Sequence, residues 1–227
     1  MLFLRGRVGP GCVNYPDDVK SVHNRLMQIA KIPCYVCNGG MDDQIRKGIL
    51  AVQRHFMLMP DGVIDVHGVT HKFLDAWSEK PVSPGVVFIG RLREAWDLVN
   101  PLLPARSFCT SAFRTVEEQR RILRKFYKET CKADIIAKYT QKKYDAVSAD
   151  LLANESQVLE MVRGVGQAIA APGKSPHQRG KAIDVGGPNF IDAEQVRVIK
   201  LVARAHWNLL TGHVLRERNG CVHFEIH

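Results

Sequence analysis

The chain has 227 residues, of which 45% are hydrophobic and 24% charged; that is enough apolar content for a packed core and excludes a disordered polyelectrolyte. Its net charge of +9 is uneven, because residues 1–80 hold 10 Lys/Arg against 8 Asp/Glu and the remainder carries +7. Such a balance suits an anionic polymer: nucleic acid, an acidic membrane surface or bacterial wall. No aromatic-interleaved basic run or nucleic-acid motif accompanies it, and no apolar run approaches the ~20 residues of a membrane span.

Residues 1–16 are rich in Gly and Pro and read as a lead-in arm. Asp17 or Asp18 caps a predicted helix with Val19, Val22, Leu26 and Ile29 at helical spacing. Pro33 to Gly40 breaks the chain, and a second helix begins near Asp42-Asp43 with Ile45, Ile49, Val52 and Phe56 on one face. Pro60-Asp-Gly62 closes it, and a third short helix contains Phe73, Leu74 and Trp77. Pro81, Pro84 and Gly85 mark a linker within residues 79–90. A helix is predicted over Phe88 to Val99, a strand over Arg106 to Phe113, and a charged helix from about Val116.

Residues 125–165 are polar, Lys-rich and helical in tendency, with few strong anchors, and read as a helical insertion. Asp184 falls on a strand ending at Gly186-Gly-Pro188, and Ala193 to Leu210 reads as a helix with Val198, Leu201, Val202 and Ala205 inward. Val214-Leu215 and Val222 to Ile226 complete a small antiparallel sheet. The expected fold is α+β: a three-helix bundle, then an antiparallel sheet flanked by helices.

Ser175-Pro-His-Gln-Arg-Gly-Lys-Ala-Ile-Asp184 offers an imidazole and a carboxylate seven residues apart. Cys221-Val-His-Phe-Glu-Ile-His227 offers another imidazole in an alternating run. Two His and one carboxylate with an open fourth position are the ligand set of a catalytic zinc site; taken singly, each is more often a surface or structural residue. In the last run His223, Glu225 and His227 share a face while Val222, Phe224 and Ile226 turn to the core. His223 and His227 stand roughly 13 Å apart in a regular strand, too far to share one zinc. Cys34 and Cys37 form a Cys-x-x-Cys pair with no second such pair, which weakens a structural zinc reading.

Ser175, His177, Gly180, Ala182 and Asp184 resemble the Ser-x-His-x-x-Gly-x-Ala-x-Asp signature of the zinc D-alanyl-D-alanine carboxypeptidase and endolysin-peptidase family, the M15 group. Ser111-Ala-Phe-Arg114 with Gln119 resembles that family's upstream block, and His223 its third ligand. The resemblance implies Zn2+ on His177, Asp184 and His223, with Arg114 holding or polarising substrate and Ser111, Gln119 and Ser175 in the substrate-binding blocks. Relatives carry Glu or Asp three residues before the last zinc His, where this chain has Gly220. Glu217, six residues before His223, and Glu225, about 6.6 Å along the strand, are the candidate bases, with His213 a third. Glu217 is favoured as base and Glu225 as the group orienting a ligand.

Upstream, Asp18-Val-Lys-Ser-Val-His-Asn-Arg-Leu26, Ile49-Leu-Ala-Val-Gln-Arg-His-Phe56 and Pro60-Asp-Gly-Val-Ile-Asp-Val-His-Gly-Val-Thr70 resemble the three-helix peptidoglycan-binding module, with His23 in place of its usual Gln and the second-helix Gln displaced to Gln53. The resemblances imply a peptidoglycan-binding domain at 1–80, a linker at 81–90 and a zinc peptidase domain at 91–227. They imply a cell-wall hydrolase that cuts stem-peptide amide bonds, with peptidoglycan rather than nucleic acid as partner. Met1-Leu-Phe-Leu-Arg5 is too short for a secretory signal, so action on the wall implies delivery by lysis or secretion machinery, as for a phage endolysin or an antibacterial effector. A catalytically inactive wall-binding protein and a basic nucleic-acid-associated protein are the alternatives.

Overall fold

The computed structural model describes residues 1–29, 37–188, 191–217 and 220–227. The break read at Pro33–Gly40 and the residue Cys34 therefore fall largely or wholly outside the described residues. The chain packs as two compact units, Met1–Ala112 with Ala182–His227, and Phe113–Lys181.

In the first unit, α1 (Pro16–Ile29), α2 (Asp43–Gln53) and α3 (Val69–Ala76) follow the predicted order. Apolar residues at helical spacing, Val19, Val22 and Leu26 on α1 and Ile45, Ile49 and Val52 on α2, are buried. Asp42 caps α2 by accepting from the Ile45 N–H at 2.8 Å. Asp18 does more than favour a helix start. It is buried, and its carboxylate accepts from the N–H groups of Arg5 and Gly6, both at 2.9 Å, which pins the arm to α1. Gln53 is fully buried. Its amide donates to Asp61 Oδ1, the Val63 carbonyl and Thr70 Oγ1, and its oxygen accepts from the N–H groups of Asp61 and Gly62. That network ties the end of α2 to the Pro60-Asp-Gly62 turn and the start of α3.

The rest of this unit is a four-stranded antiparallel sheet of β1 (Phe108–Ser111), β2 (Ala182–Gly186), β3 (Leu210–Arg216) and β4 (Val222–Ile226), in the order β1-β2-β4-β3. The fold is α+β as the sequence predicts. β2 is central and buried along its length. Helix α9 (Asp192–Ala205) packs on β3 and β4, and α4 (Leu92–Val99) on α9 and β2. Leu92, Ala95, Trp96 and Val99 of α4, and Val198, Ile199, Val202 and Ala203 of α9, are buried with Ile183, Val222, Phe224 and Ile226. Ile199 and Ala203 replace the predicted Leu201 and Ala205 on the inner face, a rotation of the buried stripe by part of a turn.

Residues 80–83 are tied along β1. Pro81 accepts from the Cys109 N–H at 3.0 Å and the Ser83 N–H donates to the Cys109 carbonyl at 2.9 Å. Lys80 is buried, its ammonium donating to the Ser78 carbonyl and hydroxyl at 2.6 and 2.9 Å with no carboxylate among these contacts. Burial pulls its pKa down to about 8. The folded protein therefore binds this proton less tightly than the unfolded chain, and stability rises as pH climbs from about 8 toward the unfolded lysine value. The shift corresponds to roughly 2–4 kcal/mol. Thermal melts should show wild type gaining on Lys80→Met between pH 7 and pH 10; a constant difference would contradict this.

The second unit holds α5 (Val116–Lys125), a π-helical segment (Phe126–Thr130), α6 (Lys132–Tyr139), α7 (Gln141–Ser148) and α8 (Glu155–Gly164). The expected helical insertion is helical, but it is well anchored. Leu123, Tyr127, Ile135, Tyr144, Val147, Val158, Met161 and Val162 form a buried cluster. Tyr127 and Tyr144 stack at 4.8 Å, and the Tyr127 hydroxyl donates to the Tyr144 carbonyl.

Candidate metal centre

His177 sits in a 3-10 turn, Pro176–Arg179. The motif spacing has a physical reason here. Pro176 supplies the fixed φ of a helical first position. Gln178 reaches back, its Oε1 accepting from the N–H groups of Gly173 and Ser175 at 2.8 and 3.1 Å. Gly180 closes the turn in the left-handed region, φ 65°, with its N–H on the His177 carbonyl. A side chain at that position would be strained. The Arg114 N–H meets the same carbonyl at 3.4 Å. Ser175 and Gln119 are buried, and the Gln119 amide donates to the Ala170 carbonyl at 3.0 Å, holding the loop that leads to His177. Arg114 is half-buried.

Asp184 and His223 face each other across β2 and β4. Both are buried, and Asp184 Oδ1 lies 2.9 Å from His223 Nδ1. Ser111 is the register partner of Asp184 on β1, placed there by a register shift after Cys109. The neighbouring Thr110 hydroxyl donates to the Asp184 carbonyl at 3.1 Å, a support for which the sequence gives no signal.

Glu225 occupies the same face of β4, as the alternation predicts. Its Oε1 lies 3.3 Å from His223 Nε2 and 3.1 Å from His213 Nδ1. His223 thus has one ring nitrogen on Asp184 and the other on Glu225. Burial lowers its pKa, but the hydrogen bond and charge of Asp184, the hydrogen bond of Glu225 and the charge of Glu217 outweigh burial, and the net shift is upward. Glu217 is exposed just after β3, its N–H on the Cys221 carbonyl at 2.8 Å. Gly220 donates to the Glu217 carbonyl with φ 83°, a conformation that disfavours a side chain. His227 is exposed.

Among the described residues, His177, Asp184 and His223 form a group able to hold a metal ion, each buried and each offering one ligand atom. Their chemistry fits zinc: two imidazole nitrogens and a carboxylate oxygen. Their three ligand atoms lie within 4.8 Å of one another, so one small ion could reach all of them. Glu225 then meets the second nitrogen of His223, as outer carboxylates do at metal-bound imidazoles.

Residues 104–208 match the family model of VanY, the D-alanyl-D-alanine carboxypeptidases. The VanY-matched segment runs from the lead into β1 through α9 and contains His177 and Asp184, while His223 and residues 1–103 lie outside it. No curated protein and no solved structure matches the chain. None of the described helices is long and apolar enough to cross a membrane.

Proposed function

We propose that this protein is a zinc-dependent peptidase that cuts amide bonds in the stem peptides of peptidoglycan. The observation that carries the reading is the buried Asp184–His223 pair on adjacent central strands, in a chain whose residues 104–208 match the VanY carboxypeptidases. His177, Asp184 and His223 are the metal ligands, and Glu225 fixes the ring of His223. A zinc ion bound there supplies Lewis acidity and brings its water's pKa to about 7. Arg114 binds the substrate carboxylate or scissile carbonyl through its planar fork, which suits a carboxylate better than lysine does. Glu217 takes the proton from the attacking water on its carboxylate. Glu225 is already engaged by two imidazoles, which favours Glu217 for that task. Gln119 and Ser175, both buried, shape the turn that presents His177, and Ser111 lies beside Asp184 on β1.

Residues 1–80 are proposed to bind the glycan–peptide polymer, on the strength of the sequence resemblance. The second reading, a wall-binding protein without activity, draws on one observation: Gly220 leaves the usual base position without a side chain. Release of D-Ala from a soluble peptide ending in D-Ala-D-Ala should disappear on chelation and return with zinc. Co-sedimentation with wall sacculi and no hydrolysis of soluble or wall substrate would favour the inactive reading.

A further inference from the structure

We propose that Lys125–Lys143 of the second unit is a polyanion-gripping surface for the carboxylate-bearing glycan–peptide strands of the wall, an inference that rests on the peptidoglycan reading above. The stretch holds six lysines, Lys125, Lys128, Lys132, Lys138, Lys142 and Lys143, no arginine, and only Glu129 and Asp134 as acids. All six lysines are exposed. Ion pairs elsewhere are made by arginines such as Arg93, Arg120 and Arg197; among the described residues none involves these six lysines.

Three of them lie over aromatic rings. Thr140, at φ 76°, turns α6 into α7. The ammonium groups of Lys138 and Lys143 both lie over the Tyr139 ring, 5.6 and 5.2 Å from its centroid. Lys132 lies over Tyr144 at 5.6 Å. The Lys138 ammonium also donates to the Gly164 carbonyl at 2.5 Å, and two like charges at one ring attract an anionic partner.

The same features select the partner. Single-stranded nucleic acid is held by aromatic faces on which bases stack, but the Tyr139 ring is already taken by two ammonium groups. Membrane-surface helices set bulky apolar residues beside their lysines, whereas the large exposed apolar residues of this unit, Val116 and Leu152, lie outside the stretch. Lysines also neutralise duplex phosphates; the VanY match of residues 104–208, which includes the whole stretch, favours the carboxylate-bearing wall polymer.

The test combines Lys132→Gln, Lys138→Gln, Lys142→Gln and Lys143→Gln in the full chain, with circular dichroism and melting temperature confirming the fold. Sedimentation with purified sacculi should weaken at least about tenfold at low salt, and the difference from wild type should vanish at about 0.5 M salt, where screening is short-ranged. Hydrolysis of a soluble D-Ala-D-Ala peptide should be unchanged. Equal sedimentation of variant and wild type at low salt would overturn the proposal, as would tighter, lysine-dependent binding to a DNA duplex or to anionic vesicles. Salt-dependent, lysine-dependent sedimentation by a wild type that hydrolyses nothing would overturn the peptidase reading and leave this surface standing.

Discussion

His223→Ala is expected to take metal content from one ion per chain to none and to lower peptide hydrolysis by at least ~10³-fold, because an unassisted water has a pKa near 15.7 rather than 7. The loss has two components. In the proposed site His223 would contribute a ligand atom, and its removal takes from the buried Asp184 carboxylate its 2.9 Å contact. Glu225→Ala is expected to behave differently. Glu225 touches the far nitrogen of His223, so its loss should weaken metal binding by about 10–100-fold and leave activity recoverable with added zinc. Metal titration followed by rate measurement separates the two variants. If Glu225→Ala were as dead as His223→Ala at saturating zinc, Glu225 rather than Glu217 would be the base.

Phe224→Ala is expected to destabilise the protein by about 3–5 kcal/mol, the usual cost of deleting a buried aromatic. Phe224 is 1% exposed and lies between His223 and Glu225 on β4, opposite Ile183 on β2 and Val214 on β3. Its ring is buried in the core while the flanking His223 and Glu225 face the site, so the same change should also loosen the site. Chemical denaturation should show a lower midpoint with little change in slope. A loss below about 1 kcal/mol would mean that β4 is not anchored through this face.

Much of the site could be read before the fold, and the reason is periodicity. Alternation over Val222–Ile226 separated a core face from a chemical face, and the burial of Val222, Phe224 and Ile226 follows it. The Ser175–Asp184 spacing corresponds to a turn closed by Gly180 and followed at once by a strand. What could not be read depends on contacts distant in sequence. The Thr110 support of Asp184 crosses from β1, and the bond of Glu225 to His213 depends on how β3 is paired after its register shift.

The core of the second unit was obscured for a different reason. The π segment at Phe126–Thr130 and the positive φ of Thr140 break the 3.6-residue period, so Tyr127, Ile135 and Tyr144 do not line up in sequence though they pack together. Asp18 shows the limit of local reasoning. An acidic residue in a first helical turn reads as a cap or dipole partner, yet its carboxylate holds the arm through two backbone N–H groups.

The most direct test of the central claim is digestion of purified peptidoglycan by wild type and by His177→Ala, with mass spectrometry of the released fragments and zinc measured on the same samples. The account predicts one zinc per wild-type chain and new peptide termini that vanish with His177→Ala and with chelator, the fragment masses naming the bond. Zinc bound one to one with no product from any wall type would contradict it.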